Sequence, residues 1–122
     1  MKKFKPFTVF TTKEVNTSEG IRIITLAGVV DELEKPSEEF PDYFGLGIGM
    51  SLSSPFDTYN KEIGEKISEG RARNQHKSIY STFTMNKSLF TKPTVEAILK
   101  VKIDFIADNL HLFTKSKHVI LK

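Results

Sequence analysis

Four short runs rich in β-branched and aromatic residues, together with two segments of helical apolar spacing, predict an α+β protein. The expected architecture is a small antiparallel sheet with one mid-chain helix and a long C-terminal helix forming a dimer seam. A third observation gives the sheet its character. In "YFGLGIGM" glycine occupies every second position (Gly45, Gly47, Gly49), so one face of that strand is bare.

The first run, "FKPFTVFTT" (4–12), reads as a strand, with Pro6 marking an edge or a strand start. Turn chemistry follows in "EVNTSEG" (14–20). "IRIITLAGVV" (21–30) is the second strand, closing a hairpin with the first. The acidic "DELEKPSEEFPD" (31–42) carries two prolines and reads as a loop. "YFGLGIGMSL" (43–52) is a third, largely buried strand, whose bare face admits a closely packed helix or a ligand.

Pro55 then stops the strand and Asp57 is the expected N-cap of a helix over 58–72. Tyr59, Ile63, Ile67 and Gly70 share one stripe, with Asn60, Gly64, Ile67 and Arg71 beside it. A glycine inside a helix costs about 1 kcal/mol against alanine. Gly64 and Gly70 therefore predict a compensating close approach of another element. "KSIYSTFTM" (77–85) is the fourth strand and "NKSLFTKP" a connector.

The last helix is expected over 94–113. Val95, Leu99, Ile103, Ile106, Leu110 and Phe113 fill one stripe; Ile98, Val101, Phe105 and Leu112 fill a second. Glu96, Lys100, Asp104, Asp108 and His111 lie opposite. An apolar arc this wide exceeds what one sheet contact needs. One stripe covers the sheet, and the other is expected to meet a second copy of the helix. Lys102 and Asn109 sit between the stripes, either setting register or lining a polar site at the subunit boundary. "KHVIL" near the end adds a short strand. With no repeat or linker, the 122 residues read as one domain, 1–122.

Composition removes several function classes. There is no cysteine, which excludes disulfides, thiolate metal sites and thiol nucleophiles. No apolar run approaches the ~18 residues of a membrane span. The basic start "MKKFKPFTVF" lacks a following apolar signal core. His76, His111 and His118 show no metal-ligand spacing, and no nucleophile elbow, Walker loop or dinucleotide fingerprint opens a helix. His76 near Tyr80 is either a general base or an ordinary surface histidine.

Charge is uneven. Residues 1–70 hold 8 Lys/Arg against 12 Asp/Glu, and residues 71–122 hold 10 against 3. An anionic partner therefore belongs to the C-terminal half, unless the lysines are only a solvated surface. Ser53 and Ser54 precede a helix start, but an aspartate at the cap repels an anion there. Arg71 and Arg73 offer planar forks for phosphate, or else complement the helix C-terminus. Tyr80 and Phe83 are nearby stacking platforms, and Asn60 joins the polar candidates. With small total charge and no recognition helix, specific DNA binding is not expected.

Two stretches, "GLGIGMSLSSP" and "FDTYNKEIGEKISEGRAR", precede a basic aromatic strand and one long C-terminal helix. In this order they resemble the phage Thoeris anti-defence proteins of the first named type, over nearly the whole chain. Ser54-Pro55-x-Asp57 followed by Gly64, Gly70 and Arg71 carries the resemblance. It implies a sponge that binds a cyclic ADP-ribose isomer, the glycocyclic form made by bacterial TIR-domain enzymes, and sequesters it without cleavage. It also implies dimers through the C-terminal helix, further assembly into hexamers, a second site for cyclic oligonucleotides, and a host bacterial cytoplasmic location. Arg71 is the residue it assigns to the ligand. No cofactor is required. A small hydrolase that degrades a cyclic nucleotide signal, and a structural or DNA-associated phage protein, are the competing readings.

Overall fold

The computed structural model describes residues 6–32, 44–56, 58–74, 78–84 and 90–114; for Glu32, Phe83, Thr84 and Thr114 it describes the backbone alone. Four strands, β1 (Phe7–Thr17), β2 (Gly20–Glu32), β3 (Phe44–Leu52) and β4 (Tyr80–Thr84), form one antiparallel sheet in the order β1-β2-β3-β4. Helix α1 (Lys61–Arg73) lies between β3 and β4 in sequence. Helices α2 (Lys92–Asp108) and α3 (Leu110–Thr114) end the described chain. The architecture is thus α+β, with a long helix near the C-terminus.

The hairpin is longer than the turn chemistry suggests. Pairing runs from Phe7↔Val30 out to Thr17↔Gly20, leaving Ser18 and Glu19 as the loop. The Thr17 hydroxyl donates to the Gly20 carbonyl at 2.6 Å and accepts from the Glu19 N–H at 3.3 Å. Gly20 has φ 131°, a conformation glycine adopts without a Cβ penalty. Cross-strand hydrogen bonds thus continue through residues whose types favour turns. Pro6 does precede an edge strand.

The two faces of the sheet are packed differently. Even-numbered residues of β2 and β3 (Ile24, Leu26, Val30, Leu46, Ile48, Met50, Leu52) meet Val95, Leu99, Ile103 and Ile106 of α2 in the main core. These side chains have little or no exposure, and their burial is the chief favourable term in folding. On the other face Gly47 and Gly49 receive α1 at backbone distance. A Cβ at either would fall inside contact with the carbonyl oxygens of Ala72 or Ser68. The bare strand face therefore serves helix packing.

That closeness corrects the expected orientation of α1. Its buried positions are Gly64, Ser68 and Ala72, while Ile63 is exposed. Only small residues fit over a glycine strand, so size overrides hydrophobicity. Gly64 has its compensation, since its carbonyl accepts the Ser51 hydroxyl at 2.9 Å. Gly70 has none: open space surrounds it. The helix also starts later than 58. Asn60 is the N-cap, its Oδ1 accepting from the Ile63 N–H at 3.1 Å. Asp57, the expected cap, lies outside the described residues. Ser53 and Ser54 act as a strand exit. The Ser53 hydroxyl accepts from the Ile23 N–H at 2.7 Å, and that of Ser54 from the Phe56 N–H at 3.2 Å.

The C-terminal helix is also divided. α2 begins at Lys92 behind the N-cap Thr91, whose hydroxyl accepts from the Thr94 N–H, and ends at Asp108. The Asn109 N–H bonds both Phe105 and Ile106 carbonyls, and its side-chain amide donates to the Phe105 carbonyl at 2.9 Å. This double cap closes the last turn, so 110–114 forms a separate short helix. The first apolar stripe covers the sheet as its spacing predicts. The second leaves Val101, Phe105 and Leu112 exposed by 69%, 54% and 57%. The fourth strand begins at Tyr80, later than expected, since Ser78 and Ile79 precede it outside the ladder; Lys77, Met85 and the expected "KHVIL" strand lie outside the described residues.

Candidate ligand-binding site

The sheet divides the candidate residues between its two faces. Tyr80 pairs with Ile48, in the row that faces α2. Lys102, on α2, places its ammonium 4.5 Å from the centroid of the Tyr80 ring. Residues 22 positions apart in sequence thereby form a cation–π contact, the quadrupole of the ring attracting the charge. Both are half-buried, and among the described residues no carboxylate pairs with Lys102. Asn109 belongs to the same side of the sheet, where its amide is engaged as the cap of α2.

The α1 side carries the arginines. Arg71 Nη1 donates to the Met50 carbonyl at 2.8 Å. Partial burial lowers its pKa from the ordinary value, because desolvation disfavours the charged form. Arg73 is held by carboxylates. Its Nε and Nη2 both reach Glu69 Oε2, at 3.2 and 3.1 Å, and Nη1 lies 3.6 Å from Asp31. Its positive charge is already balanced, so an incoming phosphate would have to displace two acids. Asn60 is the N-cap at the opposite end of α1 and is engaged there.

Phe83 is placed by register alone, opposite Gly45 in the glycine row of β3. Tyr80 and Phe83 are three residues apart, so they occupy opposite-parity positions on β4 and belong to different faces. The structure thus brings Tyr80 and Lys102 together and keeps Asn60 and Arg73 apart from them. Sequence reasoning missed the partners of Arg73. Glu69 was readable as an i,i+4 pair on the helix; Asp31, on β2, carries no local signal.

His76 and His118 lie outside the described residues, and His111 is exposed on α3. Among the described residues no group of three His, Asp or Glu is arranged to hold a metal ion. Among them, too, no helix is long and apolar enough to cross a membrane. No family model, curated protein or solved structure matches this chain.

Proposed function

We propose that this chain is a non-enzymatic sponge that binds a TIR-produced cyclic ADP-ribose isomer and withholds it from the effector of the bacterial Thoeris defence. The motif resemblance supplies the ligand class. The observation that carries the reading is the Lys102 ammonium stacked on the Tyr80 ring: one cation for phosphate beside one aromatic surface for a base. The place of action in this reading is the host bacterial cytoplasm.

The sponge acts as a homodimer through the outward stripe of α2 and α3. Val101 and Phe105 of α2 and Leu112 of α3 support that assembly, being large, apolar and exposed. Phe105→Asp should yield folded monomers, because a charge buried in the seam would lack a partner. Sedimentation of a folded wild-type monomer at micromolar concentration would rule the seam out. Ile103 is unsuitable for this test, since it belongs to the protein's own core.

Binding without turnover has a distinct signature. Mixing protein with the cyclic ADP-ribose isomer should deplete free ligand up to the number of sites and then stop. EDTA should make no difference. Loss of ligand that continues beyond stoichiometry would replace the sponge by a hydrolase.

A further inference from the structure

β1 is an edge of the sheet: among the described residues no strand lies beyond it. Its pairing with β2 runs residue for residue from Phe7 to Thr17, with no bulge and no proline inside. A long, regular edge of this kind is a template for another strand. The direction of its free groups follows from the neighbouring strand. The Ile23 carbonyl accepts from the Ser53 N–H, and the Ile23 N–H donates to the Ser53 hydroxyl, so odd positions of β2 bond towards β3. Even positions of β2 therefore bond towards β1, where their partners are odd-numbered. Thr8, Phe10, Thr12, Glu14 and Asn16 are left to present N–H and C=O outwards. Helix α2 runs along the same edge in the direction of β1. A Cβ at Gly28, the partner of Val9, would touch Val95 and Leu99, and further on Lys13 Nζ meets Asp104 at 2.6 Å. Lys100 sits one turn before Asp104 on the same flank, about 6 Å back along the helix and so level with Thr11. It is exposed, and among the described residues no acid pairs with it.

We infer that the β1 edge joins the β1 edge of a second copy, antiparallel about a two-fold axis at Thr12. That axis pairs the 11 residues of each strand along their whole length. Thr12 faces the partner's Thr12, Phe10 the partner's Glu14 and Val9 the partner's Val15, with about ten hydrogen bonds closed between them. An axis one or two residues further on would set Lys13 or Glu14 directly against its own copy, a destabilising arrangement. The same axis brings Thr11 level with the partner's Lys13. Lys100 of each copy then faces Asp104 of the other, so the two helices carry complementary charges across the join. Lys13, whose charge would otherwise deter a neighbouring strand, is neutralised by Asp104. A join of strand to strand buries little area and belongs to the weak class of interfaces, assembling on the order of 0.1 mM. Micromolar monomers of Phe105→Asp are therefore compatible with it. The join depends neither on the outward stripe of α2 nor on the sponge reading.

The test is NMR on the full wild-type chain, mixing isotope-labelled with unlabelled copies at millimolar concentration. Pairs that are not hydrogen-bonded bring two backbones closest. Contacts between the Hα atoms of Thr11 and Lys13, and of Val9 and Val15, should therefore appear between labelled and unlabelled copies. Exchange of the Phe10, Thr12 and Glu14 amide hydrogens should slow as concentration rises, while the odd-numbered amides stay slow throughout. Thr12→Pro removes an outward N–H and leaves the bonds to β2 in place, so it should raise the half-assembly concentration about tenfold or more. Lys100→Glu should raise it about threefold, and less at high salt. Slow exchange of the even-numbered amides at every concentration would mean that another part of the same chain covers the edge, and would overturn the inference. Contacts in a different register, or fast exchange of those amides at every concentration, would overturn it as well.

Discussion

The two faces of the sheet meet their helices in opposite ways. On the α2 face, long aliphatic side chains fill the gap between layers, and the contact is made by Leu, Ile, Val and Met. On the α1 face the gap is nearly closed. Glycines on β3 face Ser68 and Ala72, and small polar groups bond across the interface: Ser51 to the Gly64 carbonyl, and Thr25 to the Tyr59 hydroxyl at 3.2 Å. The first kind of interface tolerates adjustment, since side chains can change rotamer. The second has backbone on both sides and nothing soft between.

Substitutions can break this contrast. Gly49→Ala should have the largest effect. Its Cβ would press on the Ser68 carbonyl and Ala72 amide, which cannot move without displacing α1. Urea unfolding should show a loss of about 3 kcal/mol or more, at the upper end of overpacking effects. The matched change on the other face is Gly28→Ala. There the new Cβ would lie 2.9 Å from Val95 Cγ1 and 3.3 Å from Leu99 Cδ2, both side-chain methyls. A smaller loss, of about 1–2 kcal/mol, is expected. Equal losses at the two glycines would show that the faces do not differ in stiffness.

Two smaller changes sharpen the same picture. Asn60→Ala removes the cap of α1 and should cost about 1 kcal/mol by thermal or urea unfolding. Gly70→Ala, in open space on the same helix, should stabilise by about 0.5–1 kcal/mol. A destabilised Gly70→Ala would mean that this position, like Gly64, meets a neighbour.

The contrast also explains what the sequence discloses. Alternating glycines in "GLGIG" announce a bare strand face, and the apolar spacing of Val95, Leu99, Ile103 and Ile106 announces the side of α2 that is buried. Hydrophobicity misdirects the orientation of α1, because Ile63 looks like a core residue until the closeness of β3 is known. The break at Asn109 depends on its side chain reaching back to Phe105, which spacing alone does not encode. Tyr80 and Phe83 were expected as platforms of one site, although their odd spacing on a strand places them in opposite-parity rows. The meeting of Tyr80 with Lys102 was not legible, because it requires the placement of α2 over the sheet.

A sponge, as proposed, holds an intact cyclic nucleotide and does not transform it. The most direct measurement is to incubate the full chain with the cyclic ADP-ribose isomer, remove free ligand, denature the protein by heat, and identify what is released by mass spectrometry. Release of the unchanged cyclic isomer, at one molecule per site and independent of incubation time, is the predicted result. Release of linear ADP-ribose, or of nothing, would contradict it.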